Sequence, residues 1–146
     1  MLRHRLAVLF LLGVFFSACH KKNMRERGGQ DIIGTWELRQ TLGSAGATDY
    51  PPGNGHLLRF DAGFYYRYVG GQLQKSGVYN VVPDAHAQDS VCLVLPAGQF
   101  GNRVIYDNND NAIRQFFQID ESTLTFLGGC FAYDAGSQSI YARTAR

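Results

Sequence analysis

From residue 32 onward, apolar and polar positions alternate with a period of two in short runs. That period marks half-buried strands, and no long segment carries the 3.6-residue period of an amphipathic helix. The runs predict strands at residues 32–41, 56–61, 64–69, 73–82, 90–95, 112–119, 123–127 and 139–144. Residues 103–106 form a short strand or the start of one. Turn signals separate the runs. Asp61-Ala62-Gly63 predicts a hairpin between the second and third, and Gly70-Gly71 the next turn. Pro83-Asp84, the DNND stretch at 107–110, and Asp120-Glu121-Ser122 punctuate the rest. Residues 41–55, TLGSAGATDYPPGNG, are too rich in Gly and Pro for regular structure and read as a loop.

Composition supports the same class. Gly (17), Phe (10) and Tyr (8) are abundant between the turns, as in all-β sandwiches and barrels. About eight antiparallel strands with short connections are expected. Closing such a sheet removes its edges, so the expectation is an up-and-down β-barrel rather than a sandwich.

The N-terminus follows a different pattern. Arg3 and Arg5 precede an apolar run from Leu6 to Phe16. A membrane-spanning helix takes about 20 such residues, so the layout is that of a secretory signal peptide. Phe16-Ser17-Ala18-Cys19 resembles the lipobox of bacterial lipoproteins, with Phe16 in place of the usual leucine. The resemblance implies that residues 1–18 are removed and that Cys19 becomes the acylated first residue, anchored in a membrane. Each buried CH₂ of its acyl chains would add about 0.8 kcal/mol. The plainer alternative is an ordinary secretory peptide with a chance cysteine.

Residues 19–31 are polar and without periodicity, and read as a flexible tether. Lys21, Lys22, Arg25 and Arg27 either rest on anionic headgroups, at about 1 kcal/mol each, or form a solvated spacer. His20 does not resemble the acidic residue that retains lipoproteins at the inner membrane, so the expected location is the outer membrane of the cell envelope.

Charge narrows the partners. The whole chain carries a formal charge of +2, but without residues 1–18 it has 12 basic and 12 acidic residues. From residue 32 onward there are 8 basic against 10 acidic residues. A nucleic-acid-binding domain shows a basic stripe, which this region lacks. Residues 32–146, about 115 in number, suit one domain with its own core. With Cys19 acylated, Cys92 and Cys130 remain. They form either a disulfide, which oxidising compartments favour, or two buried thiols.

Gly34-Thr35-Trp36 resembles the G-x-W signature of lipocalins. The stretch from Leu58 to Tyr65, LRFDAGFY, looks like a hairpin of the small lipocalin-like domains in many bacterial lipoproteins. The resemblance implies that Trp36 plugs one end of an eight-stranded barrel and that Arg143 packs over it. Such a cation–π contact is worth about 0.5–2 kcal/mol. It also implies a small apolar or amphipathic ligand. The chain is shorter than a full lipocalin, and no helix is expected after the last strand. Thr48-Asp49-Tyr50 matches a second lipocalin signature in letters but occurs too early.

Chemistry-bearing motifs are sparse. His20, His56 and His86 have no second ligand at metal spacing. The Asp107–Asn111 run would need Gly at the sixth and Glu at the twelfth position of a calcium loop, where Ala112 and Gln118 stand. No G-x-S-x-G elbow and no P-loop occur. No catalytic activity, metal or cofactor is therefore expected.

Phe64, Tyr66, Tyr68, Tyr79, Val81, Leu93 and Phe117 are the candidate lining of an internal cavity, since aromatics with a polar tip suit an amphipathic ligand. The alternative is cross-strand pairing of the tyrosines, worth about 0.2–1 kcal/mol per pair. That would give a filled barrel with an exposed aromatic patch, a structural module that docks an envelope protein.

Overall fold

Strands β1 (Gly34–Gly43) and β9 (Ser137–Arg143) lie at opposite ends of the folded chain and side by side in space. The computed structural model describes residues 32–144. The expected signal peptide, Cys19 and the expected tether to residue 31 lie outside the described residues. Seven strands follow β1 before β9: β2 (Gly46–Asp49), β3 (Leu57–Asp61), β4 (Phe64–Val69), β5 (Gln72–Pro83), β6 (Asn102–Tyr106), β7 (Gln115–Asp120) and β8 (Thr123–Gly128). Apart from β2, each strand pairs antiparallel with its chain neighbour, and β1–β9 pairing closes the circle. The result is the expected eight-stranded up-and-down barrel, with β2 as an extra strand.

Strand β2 corrects the reading of residues 41–55 as irregular. β1 runs on to Gly43, turns through Ser44-Ala45 and pairs with β2. Gly46 takes a φ of 100°, and Gln40 Nε2 donates to Asp49 Oδ1 at 2.7 Å. All of β2 is exposed, so it needs no apolar alternation and leaves no such trace in the sequence.

Residues 90–95 are a second correction: they are not a strand. A short helix, α1 (Ala87–Val91), ends at Cys92, whose φ is 55°. Ala87 and Val91, with Leu95, Phe100 and Phe131, pack on Phe116 and Leu127. Phe116 and Leu127 sit opposite each other across β7 and β8, one position out of phase with the inward Phe117 and Phe126. The apolar run thus covers the outside of the barrel instead of joining the sheet. A Cys92–Cys130 disulfide, S–S 2.04 Å, ties this segment to the β8–β9 connection.

The main core lies inside the barrel. Trp36, Phe60, Tyr79, Val104, Phe117, Leu124 and Phe126 are buried together there, each large apolar side chain contributing about 1.5–3 kcal/mol. Phe60 meets Tyr79 edge-on at 4.8 Å between ring centres. Trp36 is fully buried, and its Nε1 donates to the Ile32 carbonyl at 2.8 Å. The Arg143 guanidinium lies 4.0 Å from the centre of the Trp36 ring, and its Nη1 donates to the Ile33 carbonyl at 3.0 Å. Gly34, at φ +142°, makes room: a Cβ there would stand 2.7 Å from Arg143 Nη1. These residues close one end of the barrel.

Glu37 alternates outward from Trp36 and is the one charged side chain buried among the described residues. Burial raises its pKa, but the 2.7 Å ion pair with Arg39 and the N–H groups of Gly53 and Gly55 outweigh it and hold the carboxyl below its ordinary value.

Closing a loop across a sequence separation of 38 is worth up to about 4 kcal/mol by chain entropy. The double variant Cys92→Ala/Cys130→Ala should therefore unfold at a clearly lower urea midpoint. An unchanged midpoint would mean that the Val91–Phe116–Leu127 cluster holds the segment alone.

Candidate functional site

Inward side chains change in size along the barrel axis. Near Trp36 they are bulky: Phe60, Tyr79, Phe117 and Leu124. Toward the opposite end, inward positions carry Gly77, Ser139 and Gln115, which leave space. A cavity of about 540 Å³ opens there. Leu58, Tyr65, Arg67, Tyr106, Gln115, Phe126, Ser139 and Tyr141 line it, with Lys75, Asp107, Asn109, Ala112 and Ile113 toward solvent.

The β3–β4 hairpin decides which aromatics reach this cavity. Its two-residue turn, Ala62-Gly63, sets Asp61 opposite Phe64, Phe60 opposite Tyr65 and Leu58 opposite Arg67. Directly opposite residues share a face. Phe60 and Leu58 are buried inside, so Tyr65 and Arg67 point inward with them.

The expected lining is corrected accordingly. Phe64 is 52% exposed, and Tyr66 and Tyr68 are half-buried on the outer face. Arg59 covers the Tyr66 ring from that side, 5.4 Å from its centre. Leu93 follows α1 in the outer segment and does not enter the barrel. Tyr79, Val81 and Phe117 are inside but belong to the filled core, not to the cavity wall. Tyr65, Arg67, Tyr106, Phe126 and Tyr141 replace the predicted lining. One signal for this was present in the sequence: a tight turn at Ala62-Gly63 puts Phe64 on the same face as Asp61, which belongs in water.

Lys75 reaches the cavity in phase with Gly77, opposite inward Arg67, but the strand turns irregular just before it. Arg67 pairs with Lys75 and Tyr68 with Leu73, so Gln74 is an extra residue in β5. Such a bulge reverses the alternation. Leu73 is therefore turned out, 54% exposed, although it lies two residues from inward Lys75.

At the mouth, Lys75 Nζ pairs with Asp107 Oδ2 at 2.9 Å, and the Tyr65 hydroxyl donates to the same oxygen at 3.0 Å. Gly77 is needed for this: a Cβ there would collide with Asp107 Oδ1 and crowd the Tyr65 ring. The Lys75 and Tyr65 hydrogen bonds hold Asp107 below the usual carboxylate range. Hydrogen bonds with Tyr65 and then Asp107 hold Lys75 above its ordinary value. Burial raises the Tyr65 hydroxyl. Deeper in, burial pushes Tyr106 and Tyr141 up, while the Arg67 charge pulls both the other way. Both are therefore neutral hydroxyls at pH 7.

Other chemistry is limited. No group of three or more His, Cys, Asp or Glu side chains could hold a metal among the described residues. In the 107–111 run, Asp107 is held as above, Asn108 accepts from Asn80 at 2.9 Å, and Asp110 pairs with Arg103 at 3.1 Å. His86 leans on Asp84 at 3.0 Å. No helix among the described residues is long and apolar enough to cross a membrane. No family model, curated protein or solved structure matches this chain.

The Lys75–Asp107 pair has a defined pH window. Asp107 titrates below 3.8 and Lys75 above 10.5 in the folded protein. Asp107's contribution to stability is present above about pH 3.8 and is lost as pH falls through its folded value. The Lys75 contribution is present below about pH 10.5 and is lost as pH rises through its own. Replacing Lys75→Met should move the Asp107 pKa up toward the ordinary value in a carboxyl-carbon NMR titration. An unmoved Asp107 would remove Lys75 as the cause of its low value.

Proposed function

We propose that this protein is a lipoprotein of the cell envelope, held at the outer membrane by acyl chains on Cys19, whose barrel binds a small apolar or amphipathic ligand. It acts by binding, without a catalytic step. The observation that carries the reading is the 540 Å³ cavity at the barrel end opposite Trp36. Ligand sites are concave spaces of about 300–1,000 Å³, mostly apolar, with a few placed polar groups. Leu58, Phe126 and the tyrosine rings supply the first property, and Arg67 and the tyrosine hydroxyls the second. The lipobox-like Phe16–Cys19 stretch supports the anchor.

A second reading draws on a different surface. Phe64, Tyr66 and Tyr68 lie together on the outer face of β4, beside exposed Leu73. An envelope protein could dock there, as interfaces are enriched in such aromatics.

Two experiments separate these claims. Cys19→Ala should abolish incorporation of labelled acyl chains, and a variant still labelled would defeat the anchor on Cys19. Native mass spectrometry on the full chain carrying Cys19→Ala, purified without detergent, should show a discrete added mass lost on denaturation. Ser139→Trp, which fills the cavity, should abolish that mass while preserving the circular dichroism spectrum. A bare mass in the unblocked protein would leave the docking reading in its place.

A further inference from the structure

The charges around the cavity do not balance. Its wall carries three ionised side chains, Arg67, Lys75 and Asp107. Lys75 and Asp107 neutralise each other at 2.9 Å. Arg67 takes part in none of the ion pairs among the described residues. One positive charge is thus left over, on an inward position of β4.

The setting of that charge is specific. Arg67 stands across the hairpin from Leu58, whose side chain is buried in the apolar core. It is close enough to Tyr106 and Tyr141 to act on both hydroxyls electrostatically. Those hydroxyls stay protonated and can donate hydrogen bonds. Arg67 is exposed, so a headgroup can meet it without crossing the core. Beyond it the wall is apolar, with Leu58, Phe126 and the Tyr141 ring.

We infer that the cavity selects an amphipathic carboxylic acid, its carboxylate on Arg67 and its apolar tail against Leu58, Phe126 and Tyr141. The inference rests on the ligand-binding reading above and adds the chemical class. A carboxylate matches the planar fork of an arginine, which offers two parallel N–H donors. The tyrosine hydroxyls supply neutral donors for its remaining lone pairs. A cationic amphiphile would meet an unpaired positive charge, and a neutral one would leave it unpaired.

Laurate, dodecanol, dodecylamine and dodecyl phosphate share one tail and differ in headgroup. Calorimetric titration of each into the full chain carrying Cys19→Ala tests the assignment. Laurate should bind about 10- to 100-fold more tightly than dodecanol, the usual reach of a hydrogen bond to a charged partner. Dodecylamine should bind most weakly. Arg67→Met keeps the aliphatic stem and removes the charge. It should erase the laurate preference, so that laurate binds no more tightly than dodecanol. Equal binding of laurate and dodecanol would overturn the inference and leave the cavity reading intact. Tighter binding of dodecyl phosphate than laurate would overturn the carboxylate in favour of a phosphate headgroup. No binding by any of the four would sink the ligand-binding reading itself.

Discussion

Everything inside this molecule depends on the pairing of its first and last strands. β1 and β9 align from Trp36 opposite Arg143 to Leu42 opposite Gln138, with one irregularity between Leu38 and Gln40. Without that seam the eight strands would be an open sheet with two long unpaired edges, which invite association with other chains. With it, every inward side chain faces another across a common axis. The seam also places Arg143 beside Trp36, so the pair that closes one end forms only when the ends of the folded chain meet. Hydrogen bonds reinforce it, from Thr144 N to the Thr35 carbonyl at 2.9 Å and from the Arg143 side chain to the Ile33 carbonyl.

Closure sets an interior, and side-chain volume then decides what remains of it. A barrel of eight strands is just wide enough to be filled by its own side chains. Here the Trp36 half is filled, by a continuous set of rings that meet edge-on or tilted at 4.8–6.5 Å. The other half has glycine, serine and extended polar chains at the corresponding positions, and it stays open. Filled and hollow barrels are therefore not alternatives for this chain. One half supplies stability and the other supplies space.

Much of this was legible in the sequence, and the failures are instructive. Most strand positions and the closed barrel followed from alternation and turn residues, and the Cys92–Cys130 bridge was one of two readings of the cysteine pair. The orientation of β4 did not, because both of its faces carry aromatics and apolarity alone cannot choose between them. Register chooses, and register was encoded in Asp61 and the two residues after it. The outward turn of Leu73 was less accessible, since a single extra residue at Gln74 reverses the period and has no signature in composition. The 90–95 run misled for another reason. Its apolar residues do bury, but on the outer surface of β7 and β8, where a disulfide rather than a ladder of backbone bonds holds them.

The same β4 register governs both proposed roles. Shifting it by one residue would send Phe64, Tyr66 and Tyr68 inside and expel Tyr65 and Arg67. The cavity would then be more apolar and without its unpaired charge, and the outer face would carry an arginine in place of aromatics. The observed register does the reverse. It spends one inward position on a cation that the wall does not neutralise and leaves an aromatic row in water. Burial of apolar area alone would favour the shifted arrangement, since three aromatics would enter and a guanidinium would leave. What opposes it is local: the two-residue turn that sets Phe64 opposite outward Asp61 would have to be remade, and the Tyr65–Asp107–Lys75 cluster at the mouth would be broken. The charge at the mouth is thus held in place by the turn chemistry of the hairpin, independently of any ligand that meets it.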